Sequence, residues 1–191
     1  AEMFLTIKQM ADGSWKFIGY QGLASHGGAI GILTALYFFC RKYKVNYLWM
    51  ADRLVMPIPL VGVFIRFGNF MNSEIIGRAT NGNWGIVFEH VDMLPRHPAQ
   101  LYEAFCYLII FGLLISYYHN NFGNLKDGKI FGLFLILVFT ARFIIEFCKE
   151  VQSDFEETMT FDMGQLLSLP FIIAGIYFFF RKKTLKENKT Q

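Results

Sequence analysis

Charge is scarce in this chain. Only 17% of its 191 residues are Asp, Glu, Lys or Arg, against about 25% in an ordinary soluble domain. The formal net charge is +3, and the basic residues do not gather on one candidate recognition helix, so nothing implies nucleic acid as a partner. Cysteine is scarce too. Cys40, Cys106 and Cys148 lie in or near apolar segments, match no metal-ligand spacing and are odd in number, which leaves free, buried thiols and no metal site as the expectation. No internal repeat, heptad, low-complexity tract or signal-peptide pattern is visible. What fills the chain is apolar matter: 54% of residues, with 18% aromatic and 22 phenylalanines.

That matter is arranged in five segments, about Gly27–Cys40, Tyr47–Phe64, Ala99–Tyr118, Ile130–Cys148 and Phe161–Phe180. A spanning helix needs ~20 mostly apolar residues, which the last three provide. Gly27, Gly28 and Gly31 suggest close packing of the short first segment against a neighbour. The second carries Asp52 and Arg53 near one end and Pro57 and Pro59 in its middle, and so predicts a kinked helix buried in protein. The expected fold class is all-α: a polytopic integral membrane bundle of about five transmembrane helices with short extracytoplasmic segments, forming a single membrane domain over 1–191.

Loop charge sets the expected orientation. Arg41, Lys42 and Lys44, then Lys126 and Lys129, then Arg181, Lys182, Lys183 and Lys186 all fall on one face of five alternating spans. This face is taken as cytoplasmic, and 181–191 as a basic cytoplasmic tail. The loop Lys149–Asp162 falls on the other face. The chain starts with Ala1 and enters on the outer side with no preceding span, so the expectation is a fragment whose upstream helices are missing and which is inactive alone.

Three polar clusters and His26, none used to set the orientation, then come out at the extracytoplasmic ends of their spans. The densest is Ile65–Arg78, IRFGNFMNSEIIGR. A charged residue at a bilayer centre costs roughly 2.5–3.5 kcal/mol on insertion scales, so this density is a functional-site hypothesis; a water-facing interfacial loop is the bland alternative. Arg66 and Arg78 are planar forks suited to phosphate. Asn69 and Asn72 add neutral donors, Glu74 can orient an arginine or a hydroxyl, and Gly68 and Gly77 let a headgroup approach the backbone. The second cluster is RHPAQLYE, Arg96–Glu103. Pro98 suits a first helical turn, which puts Arg96 and His97 just before a helix and Gln100, Tyr102 and Glu103 in its first turns. Two roles fit Glu103: a partner at the site, or a simple complement to the helix dipole. The third is Arg142 and Glu146, four apart on one helical face and close enough to pair, with Lys149 extending the stripe. A structural ion pair and a phosphate-facing arginine held by Glu146 use the same geometry. His26, before Gly27 and Gly28, is either a structural donor or a proton acceptor near neutral pH.

With SHGGAIG at Ser25–Gly31, RFGNFMNSEIIGR at Arg66–Arg78, RHPAQLYE at Arg96–Glu103, RFIIEF at Arg142–Phe147 and MGQLLSLP at Met163–Pro170 in this order, the chain resembles the prolipoprotein diacylglyceryl transferases. The resemblance spans about Ser25 to Gly175. It departs from the family signature at Ile65 and Ser73, where the family usually has glycine, and at Lys149, where it often has arginine. It implies a multi-pass enzyme of the bacterial inner membrane, its site toward the extracytoplasmic side and its fold mainly seven helices, of which the first two and a tyrosine near the lipid site would precede this chain. It implies transfer of the diacylglyceryl group of phosphatidylglycerol to the lipobox cysteine of a prolipoprotein signal peptide. A thioether forms, glycerol 1-phosphate leaves, and no cofactor, metal or nucleotide takes part. Residue by residue, it implies His26, Arg66 and Arg142 as catalytic, and Asn69, Asn72, Glu74, Gly77, Arg78, His97, Gln100, Glu103 and Glu146 as substrate-binding. A transporter would more often show inverted repeats; a non-catalytic lipid-binding subunit would not need His26.

Overall fold

The computed structural model describes residues 7–9, 15–17, 25–80, 82, 84–150 and 163–181. The acidic loop 151–162 and the basic tail 182–191 lie outside them, as do the side chains of His26 and Gly27's neighbourhood up to Ile30, Gly28 excepted. The chain divides into two compact units, Ala1–Tyr47 and Leu48–Gln191.

In the first unit, strands β1 (Ile7–Gln9) and β2 (Trp15–Phe17) pair antiparallel, with Lys8 opposite Lys16. Helix α1 runs Ser25–Tyr43. It stops where Lys44 turns left-handed, and the Val45 amide closes the end on the Cys40 carbonyl at 3.0 Å. The close glycine packing expected of this segment is not found: among the described residues a Cβ on Gly28 or Gly31 would meet nothing within 4 Å.

The second unit is mostly helical. The proline-bearing segment breaks into α2 (Tyr47–Val55) and α3 (Ile58–Met71). Pro57 caps α3 and Pro59 sits in its first turn, where a missing amide hydrogen costs little. Helices α4 (Ala99–Asn120), α5 (Lys129–Glu146) and α6 (Met163–Phe180) follow. Helix α3 packs on α4, α4 on α5 and α5 on α6. A core of Val55, Tyr107, Ile110, Leu114, Ile130, Phe134 and Leu135 joins them. The tight helix crossing of the fold lies between α5 and α6. A Cβ on Gly132 would sit 2.6 Å from the Phe179 amide nitrogen, and one on Gly175 would sit 2.9 Å from the Gly132 carbonyl. Backbone meets backbone there, the approach that small residues permit.

Two further features fix this unit. Asp52, buried on α2, accepts hydrogen bonds from the Gly128 amide at 2.6 Å and the Phe131 amide at 2.7 Å. It caps α5 from 76 residues away in sequence, satisfying amides that the helix itself leaves open. Between α3 and α4 lies a small sheet, β3 (Ile86–Val87) with β4 (Pro95–Arg96). The two strand pairs add to an all-α expectation that is otherwise met as a mostly helical fold.

The outer faces of these helices are greasy. Phe64, Ile65, Phe105, Ile144, Ile173 and Tyr177 are each more than half exposed. Among the described residues, Tyr47–Met71 and Ala99–Asn120 are long and apolar enough to cross a membrane, and only 11% and 33% of their apolar stretches are buried in protein. A core helix of a soluble protein would be mostly buried; these present their apolar side outward.

Candidate active site

The chain reverses direction between α3, α4, α5 and α6, so the C-terminal ends of α3 and α5 meet the N-terminal end of α4. Their polar residues collect at this one end of the unit. Glu103, in the first turns of α4, is wholly buried. One carboxylate oxygen pairs with Arg66 Nε from α3, and the other lies 2.8 Å from Lys149 Nζ. Both are charge contacts without hydrogen-bond alignment. Lys149, itself 4% exposed, also donates to Glu146 at 3.0 Å. The order in space is therefore Arg66, Glu103, Lys149, Glu146, alternating in sign. Buried charges are tolerated in such company and not alone. Glu103 thus pairs with cations from across the bundle while also lying near the α4 N-terminus.

Lys149 is held by its backbone as well. Gly77 and Lys149 form an antiparallel bridge. The Arg78 amide donates to the Cys148 carbonyl at 2.9 Å, and Arg78 Nε donates to the Lys149 carbonyl at 2.7 Å. On its other side Gly77 donates to the His97 carbonyl at 3.1 Å. A Cβ on Gly77 would lie 2.4 Å from that oxygen and 2.8 Å from the Cys148 carbonyl. Gly77 is thus a point where two strands of backbone close in, not a gap left for a headgroup.

The segment from Asn69 to Gln100 is cross-linked by amides. Asn69 donates to Glu74 Oε2 at 2.8 Å, and Gln100 donates to the Glu74 carbonyl at 2.6 Å. The side-chain amide oxygens of Asn69 and Gln100 are buried with no hydrogen-bond partner among the described residues, which leaves two acceptors at this end for an incoming donor. Between them the chain is strained: Ser73 and Ile75 both have positive φ, 56° and 54°, unfavourable for any side chain and most of all for a β-branched one. Asn72 is exposed and closes α3 through its backbone amide. His97 is set edge-on against Trp84 at 4.6 Å, its Nδ1 3.4 Å from the Tyr102 hydroxyl. Arg96 is buried and staples the segment: it reaches Asp92 at 2.5 Å, Glu150 at 2.8 Å and the Gly77 carbonyl at 3.2 Å. Its guanidinium holds the Asp92 carboxyl below the usual carboxylate range.

Arg142 departs from expectation. Its i+4 neighbour Glu146 pairs with Lys149, and among the described residues no carboxylate pairs with Arg142. The reason is position: Glu146 ends α5, the chain turns, and Lys149 folds back onto the carboxylate with its amide donating to the Glu146 carbonyl at 3.1 Å. Tyr107, Trp84, Asp92 and Glu150 were not singled out by sequence. Only the Arg96 cluster carried a hint of the last two, through its need for counter-charge. The side chain of His26 lies outside the described residues. No group of three or more His, Cys, Asp or Glu that could hold a metal ion occurs among the described residues.

The family model described as prolipoprotein diacylglyceryl transferase matches residues 4–181. The phosphatidylglycerol–prolipoprotein diacylglyceryl transferase of Bacteroides fragilis is 51% identical over 188 residues, covering 97% of this chain and 68% of that protein. The protein of the same description from Tolumonas auensis is 55% identical over 156 residues, covering 81% and 60%. That from Porphyromonas gingivalis is 43% identical over 175 residues, covering 84% and 62%. The chain thus spans roughly two thirds of the length of these relatives, and it belongs to the prolipoprotein diacylglyceryl transferase family.

Proposed function

We propose that this chain takes part, within the whole enzyme, in the reaction its relatives are named for, moving the diacylglyceryl group of phosphatidylglycerol to the cysteine thiol of a prolipoprotein. Sulfur forms a bond to a glycerol carbon, the bond from that carbon to the phosphate oxygen breaks, and glycerol 1-phosphate leaves with the electron pair. The thiol proton goes to a base, and the thiolate is the reactive form. His26 is the residue proposed for that base. Arg66 and Arg142 are proposed to hold the phosphate and to stabilise the charge that grows on it. The observation that carries this reading is the pairing at the buried end of the bundle. Glu103 pairs with Arg66, while among the described residues no carboxylate pairs with Arg142. Asn69 and Gln100, with an unfilled acceptor each, suit the headgroup hydroxyls, which phosphate alone would not satisfy. Glu74 and Glu146 orient their neighbours; Asn72, Gly77, Arg78 and His97 shape the wall.

The proposed setting is the bacterial inner membrane, with about five spans in this chain and the charged end toward the extracytoplasmic side, where lipid headgroups and exported signal peptides meet. The greasy outer faces of α3 to α6 support a lipid surround. In membranes supplied with phosphatidylglycerol and a lipobox peptide, the thioether product and glycerol 1-phosphate should appear together. Lipid binding without either product would leave only a lipid-binding role and overturn the reading.

A further inference from the structure

The charged cluster closes without Arg142. Two carboxylates, Glu103 and Glu146, meet two cations, Arg66 and Lys149. Lys149 belongs to both halves, 2.8 Å from Glu103 and 3.0 Å from Glu146. Its backbone is clamped by the bridge to Gly77 and by the bond from Arg78, and its buried ammonium is held between the two carboxylates. Arg142 stands one helical turn before Glu146 on α5, at a spacing that brings the two side chains together. With Lys149 on Glu146, that pairing does not form.

From this arrangement we infer that Lys149 is a positioning residue: by neutralising Glu146 it prevents that carboxylate from capturing Arg142, and so keeps the Arg142 guanidinium open to an anion. The inference rests on the functional reading above, in which that anion is the phosphate of the lipid. Without Lys149, Glu146 is an unpaired carboxylate in a poorly solvated place, and its nearest remedy is Arg142. Substrate phosphate then competes with an internal carboxylate for one fork. The opposed charges would persist in the cluster, but on the wrong partners.

The test is a pair of variants in the membrane-embedded enzyme, assayed with phosphatidylglycerol vesicles and a lipobox peptide. Lys149→Met should raise the KM for phosphatidylglycerol on the order of tenfold and leave the KM for the peptide near its original value. Adding Glu146→Gln should bring the lipid KM most of the way back, because the competitor is then uncharged. Lys149→Arg should behave like the unmodified enzyme, since it keeps the charge and the reach. A purely structural role would lower the maximal rate with the amount of folded enzyme and would not split the two KM values. If Lys149→Met fails to accumulate, Lys149→Gln carries the same test with a donor retained for Glu103. An unchanged lipid KM in the single variant, or a double variant no better than it, overturns the inference while leaving the functional reading intact. No transfer by the unmodified enzyme overturns both.

Discussion

At the scale of single residues, the site is built from positions that tolerate little substitution, for separable reasons. Gly77 has two carbonyls where a Cβ would go. Gly77→Ala must push apart the backbone that holds Lys149 and His97, and it should cost both activity and thermal stability. Ser73 is the reverse case. It stands with φ 56° where glycine carries no penalty, and glycine is the residue that the family resemblance implies there. Ser73→Gly should raise stability by about 1 kcal/mol, the low end of the cost of holding a side chain in that conformation, seen as a higher apparent melting temperature in detergent with activity preserved. A lower melting temperature would mean that the serine side chain compensates its own strain. Arg142 offers a third case. Arg142→Lys keeps the charge and loses the planar fork, and a fall of about tenfold or more in kcat/KM for phosphatidylglycerol is expected. Activity near the original level would remove the bidentate phosphate contact from the mechanism.

At the scale of elements, what could be read from sequence and what could not divide along physical lines. Apolar runs marked most helix ends within a few residues, because burying or lipid-facing side chains over ~20 residues leaves a signal along the chain; α3 instead runs to Met71, seven residues past the apolar segment's end at Phe64. Pro57 and Pro59 marked a kink in one helix, where the structure has two helices, α2 and α3. The start of α4 just after Pro98 was legible too. Partner choice was not. Arg142 and Glu146 have the right spacing, yet Lys149 competes for the carboxylate after a turn that periodicity does not register. Glu103 finds Arg66 and Lys149 across the bundle, which only the approach of three helices creates. Asp52 is the sharpest example: its role at the α5 N-terminus depends on residues 76 positions away. Asp52→Ala would leave the Gly128 and Phe131 amides without their acceptor. Losing a cap costs about 0.5–2 kcal/mol, and a lower melting temperature in detergent should result. Since this cap is at the opposite end of α5 from Arg142, the KM for lipid in the folded fraction should stay the same. A changed KM with unchanged stability would mean that the two ends of α5 are coupled.

At the scale of the molecule, every charged pair of the proposed site is at one end of the second unit, and the α4–α5 turn with Lys126 and Lys129 is at the other. The bilayer gives this polarity its meaning. Positive residues are retained on the cytoplasmic side, so the proposed orientation puts the turn inside and the Arg66, Glu103 and Glu146 end outside. A phosphate clamp placed there can take its lipid from the outer leaflet and meet a signal peptide after export. The opposite orientation would put the same residues where no exported thiol arrives. Single cysteines in a background with Cys40, Cys106 and Cys148 replaced can decide between them. Glu89, exposed beside β3, and Lys126, exposed before α5, are suitable positions. A membrane-impermeant maleimide added to intact spheroplasts should label Glu89→Cys and spare Lys126→Cys until the membrane is opened. The reverse pattern would turn the molecule over, and the proposed reaction could not be served by this end of the bundle.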